Sequence, residues 1–292
     1  MFVALACTTT WAAAAIVKLA HVDLLAVDPL HRFLVATFLY VVVTAWPPLF
    51  ALWTVRRFVE PGASIDLALR PAAPRYATLA IVAPLALTCV AMSLLGLLVG
   101  WRDPAAATAV SDRWLGVGIA TLAFALTTLL VWVQATIEEV SWRGFVLTRA
   151  MERFGAARGL LLHGALWGLW YAPIVCLADS AISKMVLVPS TLVACGLVGT
   201  LLGWLRLASG SLVAVVLANG TLTLAAGVPY LIEGLDAGLR GAIFGPVGWV
   251  LLALVVLGIA RSRHRFALRL PGAFLASVPL DPEEPPSTRT LH

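Results

Sequence analysis

Long apolar stretches separated by short polar connections run through most of this chain. Eight of them are close to 20 residues long, the length that a helix needs to cross the hydrocarbon core of a bilayer. They lie at 2–19, 33–55, 77–100, 115–139, 159–178, 185–205, 211–232 and 242–260. The pattern predicts an all-α fold, a polytopic membrane helix bundle of about eight transmembrane helices within residues 1–270. The Pro-rich, polar segment 271–292 is predicted to be a disordered tail.

Composition agrees with a membrane protein. The chain has 292 residues, of which 61% are hydrophobic and 12% are charged, whereas a soluble domain has about 25% charged residues. The four cysteines fall inside apolar runs without a CxxC pair, which indicates neither a disulfide framework nor a zinc knuckle. No nucleic-acid-binding motif is present, and the expected partner at this stage is membrane lipid. The first apolar run lacks a basic leader and is interpreted as a helix, not as a removed signal peptide.

The basic residues predict an orientation. Arginines cluster in the connections 56–76 and 140–158 and in the segment after 260. With eight helices these three regions lie on one side of the membrane, which the positive-inside rule assigns to the cytoplasm. Both termini are therefore predicted to be cytoplasmic, and the connection 140–158 places the end of the fourth helix there. The Arg- and Ala-rich composition is typical of a bacterial plasma-membrane protein.

Two adjacent acids, Glu138 and Glu139, follow an apolar run that has no charged side chain between 115 and 135. An acidic residue in mid-bilayer costs roughly 2.5–3.5 kcal/mol on insertion scales, so such residues usually face a protein interior and are functional candidates. Glu139 and Arg143 are four residues apart, the favourable order for an ion pair on one helix face. An oriented carboxylate can act as a general base on water, and two in contact can divide the acid and base roles. The alternative is an interfacial ion pair at a helix end.

Two further groups lie in the helices that follow. One face of the next helix carries His163, Trp167, Trp170 and Tyr171. The small pair Gly164 and Gly168 is typical of a close helix–helix approach. His163 is either functional or a satisfied core residue, and the aromatic residues are either packing or an interfacial belt. In the helix 211–232, Asn219 and Thr223 are four residues apart, and the amide either donates to an oxyanion or joins helices.

These residues resemble the motifs of the CPBP family of intramembrane proteases, which includes CAAX prenyl endopeptidases and bacterial homologues linked to bacteriocin immunity. The sequence Glu138-Glu139-Val140-Ser141-Trp142-Arg143 resembles the first motif, Glu-Glu-x-x-x-Arg. The segments 167–173 and 211–223 resemble the second and third motifs, and the family-like core spans about 115–225. The resemblance implies peptide hydrolysis, with a peptide or membrane-protein substrate.

The chain departs from the family pattern where histidines are expected. Tyr171 stands at the histidine of the second motif, and Asn219 and Thr223 stand at the histidine and asparagine of the third. The resemblance implies that the glutamate and the histidines activate water or hold a metal. A tyrosine, with a pKa of about 10, is a poor base and a poor metal ligand at neutral pH. His163 is expected to compensate if the acidic helix ends at Glu139, because it then lies nearer to the acids than Tyr171.

Three functions follow from this reading. The first is an intramembrane endopeptidase with Glu139 as base, Glu138 as acid or ligand and Arg143 as orienting cation. In it His163 is a proton shuttle or metal ligand and Asn219 the oxyanion donor. Glu139 and His163 would hold zinc or another divalent metal. The predicted substrate groove consists of Trp142, Trp167, Trp170, Tyr171 and Thr223.

The second function is a catalytically inactive relative that binds membrane partners or acts in bacteriocin immunity. The third is a proton-coupled transporter, which the lack of an internal repeat disfavours.

Overall fold

The predicted all-α membrane bundle is confirmed. A computed structural model describes residues 1–20, 29–61, 65, 67–99, 113–172, 184–233 and 243–262, and their regular secondary structure is helical throughout. The helices are α1 (Phe2–Leu19), α2 (Pro29–Thr54), α3 (Pro74–Val99), α4 (Arg113–Ser141), α5 (Leu147–Phe154), α6 (Ala156–Tyr171), α7 (Lys184–Ser209), α8 (Leu212–Glu233) and α9 (Pro246–Arg261). Four helical stretches in these ranges are long and apolar enough to cross a membrane. The predicted tail, 271–292, lies outside the described residues.

The acidic helix does not end at Glu139, so the prediction of a connection over 140–158 is wrong. After α4 the chain makes a π-helical turn over Trp142–Val146 and continues directly into α5. The helical path ends at Gly155, whose φ of +78° reverses the chain and suits a residue without a Cβ. Arg143 is one of the arginines of that predicted connection. In the structure its charge is neutralised on the helix itself, and its side chain is buried.

The continued helix moves the acids into the bundle. Glu139 lies 15 residues before the end of α5, which corresponds to about 23 Å of helix. Since α6 runs back from Gly155 against α5, residues equally far from this turn lie at the same level. Tyr171, at the far end of α6, therefore lies level with the acids, and His163 lies about halfway along.

Several basic segments do share one end of the bundle. Arg149 pairs with Glu60 at 3.2 Å and with Glu152 at 3.0 Å, which joins the segment that follows α2 to α5. Arg70 Nε donates to the Gly210 carbonyl oxygen at 2.7 Å and joins the 67–73 segment to the α7–α8 turn. The assignment of this end to the cytoplasm stays a prediction.

Helices α6 and α7 meet backbone to backbone, and the predicted close approach at the glycine pair is confirmed. A Cβ on Gly164 would lie 2.5 Å from the Gly196 carbonyl oxygen and 2.5 Å from Thr200 Oγ1. A Cβ on Gly168 would lie 2.8 Å from the Leu192 carbonyl oxygen. Any side chain at these positions would push the two helices apart. The glycines thus fix the depth and rotation of α6. This helix carries the aromatic residues that face α4.

Candidate active site

The Glu138 carboxylate is surrounded by hydrogen-bond donors. Trp167 Nε1 donates to Oε1 at 2.5 Å, the Tyr171 hydroxyl donates to Oε2 at 3.2 Å, and Gln134 Nε2 also donates to Oε2. The glutamate side chain is 0% exposed. An indole N–H can only donate, and an ionised carboxylate can only accept. The three contacts therefore fit an ionised Glu138 that holds α6 against α4.

The neighbouring Glu139 is held on one side only. Arg143 Nη1 donates to Oε1 at 2.9 Å, and Asn219 Nδ2 donates to the same oxygen at 2.7 Å. The other oxygen, Oε2, is buried and has no hydrogen-bond partner among the described residues. Helix α8 thus contributes the amide that fixes an acid of α4. The carboxylate is thus oriented through one oxygen by two donors.

The Arg143 guanidinium completes this arrangement. It lies over the Trp167 ring, with 4.6 Å between Cζ and the ring centroid, a cation–π contact in a desolvated setting. Its Nε and Nη2 atoms are buried without a hydrogen-bond partner among the residues that the structure describes. A free acceptor and free donors therefore belong to the same ion pair. A proton acceptor and a donor for developing negative charge are what the hydrolysis of a carbonyl compound requires.

A second tyrosine, Tyr40, contacts Tyr171. The Tyr40 hydroxyl of α2 lies 2.7 Å from the Tyr171 hydroxyl, and the rings are stacked with centroids 6.5 Å apart. Thr223 of α8 also lies near the Tyr40 hydroxyl. The hydroxyl pair extends the hydrogen bonding of Glu138 to α2.

Two of these polar residues were missed by the sequence analysis. Gln134 was detectable, because it precedes Glu138 by four residues and is an amide within a run of otherwise apolar character. Tyr40 had no such signal, because it is 131 residues away from Tyr171 along the chain. Only the packing of α2 against α4 and α6 reveals it.

His163 is not part of this cluster. Its ring is fully buried and packs edge-on against Trp142, with centroids 6.1 Å apart. In the described part of the chain, no hydrogen bond or ion pair joins it to either carboxylate. The structure thus brings together Glu138, Glu139, Arg143, Asn219 and Tyr171, and it leaves His163 on the side of the helix that faces the core.

The donor set does not fit the predicted metal. No group of three or more His, Cys, Asp or Glu side chains within the described ranges could hold a metal ion. The groups that surround the two acids are an indole, two amides, a phenol and a guanidinium. The guanidinium beside Glu139 would also repel a cation.

The predicted groove residues divide into two sets. Trp142 and Trp170 are fully buried, and Trp170 Nε1 donates to Thr10 Oγ1 of α1 at 2.6 Å. Trp167 is also buried, beneath the guanidinium. Tyr171 and Thr223 are partly exposed. The groove stays a prediction, and these last two are its accessible members.

Comparison with known proteins agrees with the three motifs. The model of the family described as type II CAAX prenyl endopeptidase Rce1-like matches residues 120–225. The chain is also 31% identical over 51 residues to CAAX prenyl protease 2 of Methanococcus maripaludis, which covers 18% of this chain and 19% of that protein. The matched segment, 120–225, is therefore similar to the CPBP family that the three motifs resemble. The matched segment holds the acids, Arg143, Tyr171 and Asn219, while Tyr40 lies outside it.

The three CPBP motifs converge at one point in the structure. The first motif supplies Glu138 and Glu139, the second supplies the Tyr171 hydroxyl on Glu138, and the third supplies the Asn219 amide on Glu139. The residues that replace the expected histidines thus still contact the acids. In this chain they do so as hydrogen-bond donors.

Proposed function

We propose that this protein is an intramembrane endopeptidase in which Glu139 activates water for peptide hydrolysis. The supporting observation is the one-sided binding of its carboxylate: Oε1 is fixed by Arg143 and Asn219, and Oε2 is buried and free. A carboxylate that served only as a structural ion pair would be expected to have both oxygens satisfied. The family match agrees with this activity, and the names of the matched proteins suggest it.

The reaction can be written with the residues present. Glu139 Oε2 takes a proton from water as the water oxygen attacks the carbonyl carbon of the scissile peptide bond. The negative charge that develops on the carbonyl oxygen is stabilised by the unpartnered N–H groups of Arg143. The C–N bond then breaks, and the proton passes from Glu139 to the leaving amine, which regenerates the carboxylate.

Asn219 and Glu138 have positioning roles in this scheme. The Asn219 amide is engaged with the base, so we assign it to orient Glu139 and not to bind the oxyanion. Glu138 accepts three donors. It fixes Trp167, whose ring supports the guanidinium of Arg143.

A cleavage assay with two probes tests the proposal. The full chain, reconstituted in liposomes, is incubated with two internally quenched fluorogenic peptides. One is farnesylated and ends in a Cys-aliphatic-aliphatic-X sequence, which follows the names of the matched proteins. The other is an apolar membrane-spanning peptide without a prenyl group. We expect cleavage of one of them, with the cut bond identified by mass spectrometry. Failure to cleave either would contradict the proposal.

One observation favours a second candidate, an inactive family member that binds membrane partners. No imidazole contacts either carboxylate in the described part of the chain, and tyrosine is a weak substitute as a base. This candidate predicts no cleavage of either probe, together with photo-crosslinking from Tyr171 to a specific membrane protein. The transporter alternative gains no specific support from the described residues.

His163 provides a test within the enzyme hypothesis. Because its ring contacts neither acid, replacing His163 by Gln is expected to leave kcat within about twofold of wild type. The measurement is the cleavage rate per folded protein, with folded protein quantified by gel filtration. Asn219→Leu is the matched comparison, since it removes a buried polar group that does contact Glu139. A His163→Gln protein that folds but has no activity would show that His163 does take part in catalysis.

A further inference from the structure

Two tyrosines next to the buried acids, Tyr171 and Tyr40, are less deeply buried than the acids themselves. Glu138 and Glu139 are each 0% exposed, and Arg143 is 1% exposed. Tyr171 and Tyr40, by contrast, are both partly exposed. The two tyrosines therefore link the buried cluster to partly exposed positions on α6 and α2. The second of these helices lies outside the segment that matches the family.

The direction of the hydrogen bonds in this pair follows from Glu138. Its Oε1 accepts from an indole, and its Oε2 accepts from the Gln134 amide. The Tyr171 hydroxyl has one proton, which it donates to Oε2 at 3.2 Å. At the 2.7 Å contact the oxygen of Tyr171 must then accept the proton of Tyr40. The donation runs in one direction, from Tyr40 to Tyr171 to Glu138.

We propose that Tyr40 of α2 is a positioning residue of the hydrolytic site, which acts by holding the Tyr171 hydroxyl in the orientation that donates to Glu138. The inference rests on the proposed function. Without the Tyr40 hydroxyl, the Tyr171 hydroxyl is free to rotate away from the acid. Glu138 would then lose one of its three donors for part of the time.

The Tyr40 hydroxyl is connected to the proposed base, Glu139, through a short series of neighbouring side chains. Glu138 accepts from Trp167, and the Trp167 ring lies beneath the Arg143 guanidinium. Arg143 in turn holds Glu139 at 2.9 Å. A looser Glu138 would therefore loosen the placement of Arg143 on the reacting carbonyl oxygen. Since Tyr40 itself is not among the predicted groove residues, we expect Tyr40→Phe to lower kcat while KM stays unchanged.

The experiment is a double-mutant cycle on the probe that wild type cleaves, with the full chain in liposomes. Tyr40→Phe keeps the ring and removes only the hydroxyl, and it should lower kcat about threefold to tenfold, the range of one neutral hydrogen bond. If Tyr40 acts through Tyr171, adding Tyr40→Phe to Tyr171→Phe should cause no further loss. The control is Tyr76→Phe in α3, which should leave kcat and KM unchanged.

Several outcomes would overturn the inference. These are a wild-type kcat in Tyr40→Phe, an equal loss of kcat in the Tyr171→Phe background, or a change in KM alone. Should Tyr40→Phe fail to fold, Tyr171→Phe removes the same contact from α6, and a wild-type kcat there would be equally decisive. If wild type cleaves neither probe, the proposed function fails and the inference with it. If wild type cleaves and only the cycle disagrees, the inference alone fails.

Discussion

Replacing Glu139 by Gln is expected to lower the cleavage rate by about 10²–10⁴-fold, the usual contribution of a general base. The substitution is nearly isosteric. The amide oxygen of the new side chain can still accept from Arg143 Nη1 and Asn219 Nδ2, which contact Oε1 at 2.9 and 2.7 Å. The NH₂ group would replace Oε2, and it cannot take a proton from water. The loss should therefore be chemical and not structural.

The rate is measured as kcat/KM on the probe that wild type cleaves, with folded protein confirmed by gel filtration and a thermal melt. Glu152→Gln on α5 is the matched control, because it removes an exposed acid whose partner is Arg149. That control should retain activity, since an exposed ion pair contributes only about 0–1 kcal/mol to stability. Activity in Glu139→Gln close to wild type, with activity lost in Glu138→Gln, would transfer the base role to Glu138.

Replacing Gly164 by Ala is expected to destabilise the bundle by roughly 1–3 kcal/mol, the usual cost of overpacking a core. The new methyl group would meet the Gly196 carbonyl oxygen and Thr200 Oγ1, both at 2.5 Å. A backbone carbonyl cannot move aside as a flexible side chain can. Helices α6 and α7 must therefore separate, and Tyr171 would be displaced from Glu138.

The change in stability is measured from the midpoint of thermal unfolding in detergent. Gly196→Ala on the facing helix is the matched control, since the nearest atom to its Cβ is the Gly164 carbonyl oxygen at 3.9 Å. This control should unfold like wild type or slightly later, because alanine favours helix over glycine by about 1 kcal/mol. Equal behaviour of the two variants would mean that α6 and α7 are not in close contact at Gly164.

The helices could be predicted from the chain because the signal is local. A run of about 20 apolar residues has few alternatives to a membrane helix, since the bilayer core offers no partner for free backbone groups. The one clear error is the predicted end of the fourth helix at Glu139. It arose because the environment of Arg143 is not a local property of the sequence. Whether Arg143 meets water or a carboxylate depends on its neighbours. Its burial against Glu139 allowed the helix to continue to Phe154.

The polar pairs within one helix could also be predicted, because their spacing in the sequence is enough to bring them together. Glu139 and Arg143 lie four residues apart, and a helix of 3.6 residues per turn brings such positions together wherever it lies. The same rule applies to Gln134 and Glu138, which the sequence analysis overlooked. The motif spacing also predicted that Asn219 belongs with the acids, although it did not show that the amide contacts Glu139.

The packing of the helices decided which aromatic or imidazole group reaches the acids. Tyr171 contacts Glu138 because α6 turns back at Gly155 and its glycines fix its depth against α7. His163 lies two turns too early on α6 to do so. Tyr40 joins from α2, 131 residues before its partner. Helical periodicity relates residues within one turn of each other, whereas contacts between helices depend on where each helix ends and how closely its neighbours approach.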